Sequence, residues 1–138
     1  MAIQTLAPPV VASITAGVLI VGQMGLMFAA AMQRRRGRQA IGEGSDPAVL
    51  RAARRHGNYA ENAAIFVLAL ALLEVMGAQR WLLAALAAVF VAGRIAHAIG
   101  LSLPNTVNPL RIGGVVATVG VGLTLGFQLI SLGVRALG

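Results

Sequence analysis

Long apolar blocks separated by short polar segments run through the whole chain, and they predict four membrane spans. We place the spans at about residues 7–32, 58–76, 81–103 and 112–135 of a single domain covering 1–138. About 20 apolar residues cross the hydrocarbon core as a helix, and backbone groups in lipid must find hydrogen-bond partners within their own segment. The polar–apolar alternation of a β-barrel is absent from these blocks. The pattern therefore predicts an all-α polytopic membrane protein, a four-transmembrane-helix bundle.

Two short signals refine the boundaries and packing of these helices. Ser45 or Asp46 before Pro47 is typical of a helix N-cap followed by proline in the first turn. The second helix is therefore predicted to begin near Pro47, well before its apolar half. In the fourth span Gly122 and Gly126 form a GxxxG pattern, which favours close packing against another helix.

Composition agrees with this class and indicates an orientation. The chain is 58% hydrophobic and 11% charged, with a mean hydropathy of +0.83, whereas soluble domains are about 25% charged. The net charge of +7 comes from eleven arginines and no lysine. In a membrane protein such charge reflects orientation and anionic headgroups, so we expect no nucleic-acid partner. Seven arginines lie in or beside the first loop, at positions 34, 35, 36, 38, 51, 54 and 55.

The positive-inside rule then places the arginine-rich loop in the cytoplasm. We expect both termini on the other side, which is the periplasm if the protein lies in a bacterial inner membrane. The chain has no cysteine, so disulfides, thiolate metal sites and a cysteine nucleophile are excluded. No metal site is predicted.

Three ionisable residues at membrane depth need an explanation, because each costs roughly 2.5–3.5 kcal/mol on insertion scales. They are Glu61, Arg94 and His97. On the second helix Arg54, Asn58 and Glu61 are spaced by four and three, which places them on one face. Arg94 and His97 are three apart on the third helix, so the two polar stripes can face each other. Such a cluster suits a small zwitterionic ligand with several carboxylates.

Structural explanations of the same residues remain open. Glu61 and Arg94 can neutralise each other as an interhelical ion pair, and His97 can be a packed histidine with satisfied hydrogen bonds. The arginines of residues 34–38 are explained by orientation and headgroup contact without any catalytic role.

The second-helix stripe resembles the MAPEG family, the membrane-associated proteins of eicosanoid and glutathione metabolism. That family carries an Arg-x-x-x-Asn-x-x-Glu pattern, which Arg54, Asn58 and Glu61 meet here. The segment 93–97 is similar to the third helix of prostaglandin-forming members. The segment 111–114, with Thr118 beyond it, is similar to the start of the fourth helix in small bacterial members. The resemblance covers nearly the whole chain.

The resemblance implies a homotrimer that binds glutathione, as co-substrate, between neighbouring subunits near the cytosolic side. Arg54, Asn58 and Glu61 would hold the tripeptide, with Glu61 at its α-amino group. Arg94 and His97 would line the same site.

The resemblance also implies a reaction. An arginine would stabilise the glutathione thiolate by lowering the thiol pKa. Arg111 is the first candidate, and Arg34 or Arg35 from an adjacent subunit is the second. The activity would be that of a membrane-bound glutathione transferase, with peroxidase activity as a variant, on lipophilic electrophiles that arrive through the lipid. The alternative is a non-enzymatic structural or accessory subunit that keeps the fold.

Two positions depart from the family pattern. Ala64 stands where members commonly have proline, so the kink caused by that proline is not expected. Leu101 stands where some eukaryotic members have tyrosine, which argues against a specialised eicosanoid reaction.

Overall fold

The part of the chain that the structure describes contains five helices, arranged as four spans. The structure is a computed structural model that describes residues 8–42, 46–105 and 107–138. All four spans are long and apolar enough to cross a membrane, which confirms the predicted all-α, four-span class. The second span consists of two consecutive helices. The helices are α1 Val10–Arg36, α2 Pro47–Glu61, α3 Ala63–Val75, α4 Arg80–Gly100 and α5 Pro109–Arg135.

The helix ends follow the capping signals and shift some predicted boundaries. Asp46 caps α2, since its side chain accepts a hydrogen bond of 2.8 Å from the Ala48 amide and Pro47 begins the helix. This confirms one of the two predicted caps; Ser45 lies outside the described residues. The first helix continues to Arg36, four residues beyond the predicted end of its span. In contrast, α4 ends at Gly100, three residues before its predicted end.

The second span is interrupted at Asn62, between α2 and α3. The Asn62 backbone has φ −104° and ψ −9°, and its amide is directed at the Ala60 carbonyl. The expectation of an unbroken helix, drawn from Ala64 in place of proline, is therefore wrong. The physical reason is a competing partner, because the Asn58 carbonyl accepts from the Arg94 guanidinium instead of from the Asn62 amide.

Aromatic stacking fills the centre of the bundle. The rings of Phe66 and Phe90 are stacked, with centroids 3.9 Å apart, and both side chains are buried. A Cβ atom on Gly122 would lie 3.0 Å from the Phe66 ring, so this glycine does allow close packing. A Cβ atom on Gly126 would meet nothing within 4 Å. The packing prediction is therefore confirmed at Gly122, whereas no described helix of the same chain packs closely against Gly126.

The helices α4 and α5 make the most extensive contact among the described helices, and other glycines make their close approach possible. A Cβ atom on Gly114 would lie 2.6 Å from the Gly93 carbonyl oxygen and 2.7 Å from the His97 Cβ atom. A Cβ atom on Gly100 would lie 2.7 Å from the Arg111 amide nitrogen. Because no side chain separates the two backbones there, the start of α5 is held directly against the end of α4.

At the opposite end of the bundle, Glu74 holds the start of α1. Its carboxylate is buried and accepts hydrogen bonds of 3.1 and 2.9 Å from the amides of Val11 and Ala12. The Arg80 guanidinium lies 3.7 Å away. A carboxylate is favourable there, because the first amides of a helix have no partners within the helix and carry its positive dipole end.

Candidate functional site

A groove opens at the arginine-rich end of the bundle, between α2, α4 and the start of α5. Its volume is about 450 Å³, within the range typical of small-molecule pockets. Three of the described lining residues are arginines and none is acidic, so the charged side chains of the described lining are all positive. We call it the arginine groove. It is lined by Pro47, Leu50, Arg51, Arg54, Asn58, Gly100, Leu101, Leu103, Pro104 and Arg111.

One face of α2 supplies the first half of this groove. Arg51, Arg54 and Asn58 are spaced by three and four residues, which stacks their side chains on one side of the helix. The span from Pro47 to Val75 is about 43 Å long at the helical rise, whereas the hydrocarbon core is about 30 Å thick. The first turns of α2 can therefore lie outside the hydrocarbon core. The two arginines can thus contact water, and both are exposed.

The second half of the groove is Arg111, whose backbone is fixed on both sides. Its amide donates a hydrogen bond of 3.0 Å to the Asn108 side chain, which caps α5. The Asn108 amide group in turn donates to the Gly100 carbonyl at 2.9 Å. The Arg111 carbonyl lies 3.2 Å from His97 Nδ1. Main-chain contacts therefore orient this residue, while its side chain lines the groove.

Arg94 lies behind the groove and joins three helices. Its side chain is buried and donates to the Thr118 hydroxyl at 3.2 Å and to the Asn58 main-chain carbonyl. The Thr118 hydroxyl in turn donates a hydrogen bond of 2.8 Å to the Gly114 carbonyl. Arg94 thus connects α2, α4 and α5 from within the protein. This arrangement supports the wall of the groove without lining it.

The structure brings together five of the predicted site residues in two layers. Arg54, Asn58 and Arg111 line the groove. Arg94 and His97 are buried behind it, 3% and 4% exposed, and they contact Asn58 and Arg111 through main-chain carbonyls. The predicted facing of the two polar stripes is therefore found as a contact between Arg94 and the α2 backbone.

Glu61 and Arg34 do not line the groove. Glu61 is exposed and does not line the groove. Among the described residues no direct ion pair joins it to Arg94, whose guanidinium is held by Asn58 and Thr118. The Glu61 charge nevertheless interacts electrostatically with Arg94 and His97. Arg34 donates a hydrogen bond to the Gly42 carbonyl in the first loop and also lies outside the groove lining.

Sequence reasoning missed one contributor to the site, Asn108, although asparagine directly before Pro109 is a typical N-cap signal. Arg51 also lines the groove, because its three-residue spacing from Arg54 extends the polar stripe of α2 toward the loop.

Comparison with known proteins provides independent information on the chain. The profile of the MAPEG family matches residues 12–131, which include every described helix except the ends of α1 and α5. No curated protein and no solved structure matches the chain.

Proposed function

The chain belongs to the MAPEG family, and from this premise we propose that it is a membrane-bound glutathione transferase acting on lipophilic electrophiles. The observation that carries the proposal is the arginine groove, which has three arginines and no acidic residue among its described lining residues. Such a groove attracts a small anion with more than one carboxylate. Glutathione fits this chemistry, since it has two carboxylates, one ammonium group and one thiol.

Each polar group of the tripeptide has a matching side chain at or near the groove. Arg51 and Arg54 can each form paired hydrogen bonds with a carboxylate, and the Asn58 amide can bond the peptide backbone. Glu61 lies one turn further along the same helix and supplies an acceptor for the ammonium group. Because Glu61 is exposed in the single chain, we propose that glutathione reaches it at the boundary with a neighbouring subunit of a homotrimer.

Arg111 is the proposed catalytic residue. Its positive charge near the sulfur would lower the thiol pKa and so increase the thiolate fraction. The thiolate then attacks an electrophilic carbon, forming the S–C bond while the leaving group departs with its electron pair. Arg111 is held through its backbone by Asn108 and His97, so its charge is positioned before the ligand binds. A neighbouring subunit's Arg34 is a second candidate for the same role.

The setting of the groove agrees with lipophilic second substrates. It lies where the spans end at the arginine-rich side, which we propose faces the cytoplasm of a bacterium across its inner membrane. Leu50, Leu101 and Leu103 are part of its lining. An apolar electrophile dissolved in the bilayer can therefore reach the sulfur from the lipid side, while glutathione enters from water.

Turnover of an aryl halide by the protein in lipid nanodiscs tests this function. We expect glutathione conjugation above the uncatalysed rate, and loss of at least about 100-fold on Arg111→Ala, the typical effect of removing one charge-stabilising group. The matched control is Arg36→Ala, an exposed arginine at the same end that does not line the groove. A folded protein with no turnover for several classes of electrophile would favour the non-enzymatic structural subunit instead.

A further inference from the structure

A second, mainly apolar cavity system lies between α1 and α4, away from the arginine groove. It consists of two neighbouring cavities of about 290 and 520 Å³, and Val18 lines both. Along α1 the two together extend from Val11 to Leu26, which is about 22 Å at the helical rise. We call the two cavities together the α1–α4 crevice.

One end of the crevice is positively charged. The Arg55 side chain lines it there and donates a hydrogen bond of 2.9 Å to the Ser102 hydroxyl. The Arg55 Nε atom is buried and has no acceptor. No acidic residue is found among the described residues that line either cavity, so this guanidinium has no carboxylate partner there.

The depth of this charged end corresponds to the headgroup region. Ser102 comes just after Gly100, where α4 ends, and Arg55 lies on the part of α2 that precedes the apolar helix α3. The remainder of the crevice runs from there along the apolar part of α1. A charged end at the interface and an apolar channel beneath it match the two parts of a membrane lipid.

We propose that the α1–α4 crevice binds one acyl chain of an anionic phospholipid from the surrounding bilayer, with the lipid phosphate at Arg55. Basic sites between membrane helices bind anionic headgroups in this way, and a guanidinium can bond a phosphate in a bidentate manner. The lipid remains separate from the glutathione groove, because Arg54 lines the groove and Arg55 lines the crevice. The inference therefore stands independently of the proposed transferase activity.

Glycines on α1 leave the crevice open, and a larger residue in place of one of them would fill it. Gly25 lines the crevice, and a Cβ atom there would meet nothing within 4 Å. Leucine at this position therefore extends into the space without colliding with the protein. Gly17 is equally unobstructed on the same helix but lines neither cavity, so Gly17→Leu is the matched control. Gly22 is unsuitable, because a Cβ atom there would lie 2.4 Å from the Tyr59 hydroxyl.

Native mass spectrometry of the detergent-purified protein with added lipid tests the proposal. We expect phosphatidylglycerol to bind about fivefold more tightly than phosphatidylcholine, the effect of about one arginine near an anionic headgroup. Arg55→Gln should abolish this preference, whereas Arg36→Gln, at an exposed arginine of the same end, should keep it. Gly25→Leu should reduce binding of both lipids, and Gly17→Leu should not.

Three results would overturn the proposal. The first is equal binding of both lipids by the unaltered protein, and the second is a preference that survives Arg55→Gln. The third is a change of oligomeric mass on Gly25→Leu with unchanged lipid binding, since that would show that another copy of the chain covers the crevice. Ser102→Ala removes the hydrogen-bond acceptor of Arg55 but keeps the arginine's charge. It should therefore leave the preference for phosphatidylglycerol in place.

Discussion

The Arg94 guanidinium on α4 donates a hydrogen bond to the main-chain carbonyl of Asn58 on α2. Arg94 takes the place of the Asn62 amide at this carbonyl, and the Asn62 amide is directed at Ala60 instead. The buried cation on one helix thus accompanies the break in the other. The same Asn58 presents its side chain to the arginine groove, so the interhelical contact and the candidate ligand site share one residue.

Removing the Arg94 side chain should destabilise the protein. Arg94→Leu leaves the Asn58 carbonyl and the Thr118 hydroxyl without this donor inside the bundle, and we expect a loss of about 1–3 kcal/mol in the free energy of unfolding. Thermal unfolding in detergent measures the effect. Thr118→Val is the smaller matched change, because it removes only one acceptor of Arg94. A decrease for Thr118→Val larger than that for Arg94→Leu would contradict this account of the contact.

The contact between α4 and α5 predicts that alanine substitutions at two neighbouring glycines differ in their effect on stability. Gly114→Ala introduces a Cβ atom 2.6 Å from the Gly93 carbonyl oxygen, and we expect a loss of about 1–3 kcal/mol of stability from overpacking. Gly113→Ala should be neutral or mildly stabilising, since its Cβ atom meets nothing within 4 Å and alanine favours helix. Melting temperatures of the two variants, measured side by side, check the ranking. Equal values would mean that the helices do not approach so closely.

The Asn108 cap should affect both stability and turnover, because it holds the backbone of Arg111 in position. Asn108→Ala removes the acceptor for the Arg111 amide and the donor to the Gly100 carbonyl, and a lost cap costs about 0.5–2 kcal/mol. Asn108→Asp keeps the acceptor and should restore part of both stability and turnover. If the two variants lose turnover equally while only Asn108→Ala loses stability, Asn108 does not act by positioning Arg111.

The groove should bind glutathione through its α2 arginines. Arg54→Gln removes a charged donor, whose hydrogen bond is worth about 1.5–3 kcal/mol, so we expect the Kd for glutathione to rise by about 10- to 100-fold. Calorimetric titration measures the change, with Arg36→Gln as the control at an exposed arginine of the same end. An unchanged Kd in a folded Arg54→Gln variant would place the ligand elsewhere.

The four spans and the polar face of α2 could be predicted from sequence, because they depend on local periodicity. Apolar length is sufficient to identify a span, and the spacing of Arg54 and Asn58 places both on one helix face. The Asp46 cap was predictable for the same reason. Each of these features can be predicted from one continuous stretch of sequence.

The partners of the buried polar residues could not be predicted, because they depend on helix rotation and on long-range contacts. Glu61 and Arg94 suggested an ion pair by charge alone, yet Arg94 is held by Asn58 and Thr118. The break at Asn62 occurs without proline, so no local signal marked it. Likewise, the GxxxG pattern that contains Gly126 did not identify the close α4–α5 contact, which involves glycines on two different helices.

The most direct test of the central claim is the ultraviolet absorbance of the glutathione thiolate bound to the purified protein. Arg111 is anchored by its amide and carbonyl, so Arg111→Ala should fold and still bind glutathione. We predict a thiolate signal at neutral pH from the unaltered protein and its loss in Arg111→Ala, with the Arg36→Ala control unaffected. Equal thiolate signals from the unaltered protein and Arg111→Ala would contradict the role given to Arg111, and no binding at millimolar glutathione would contradict the transferase itself.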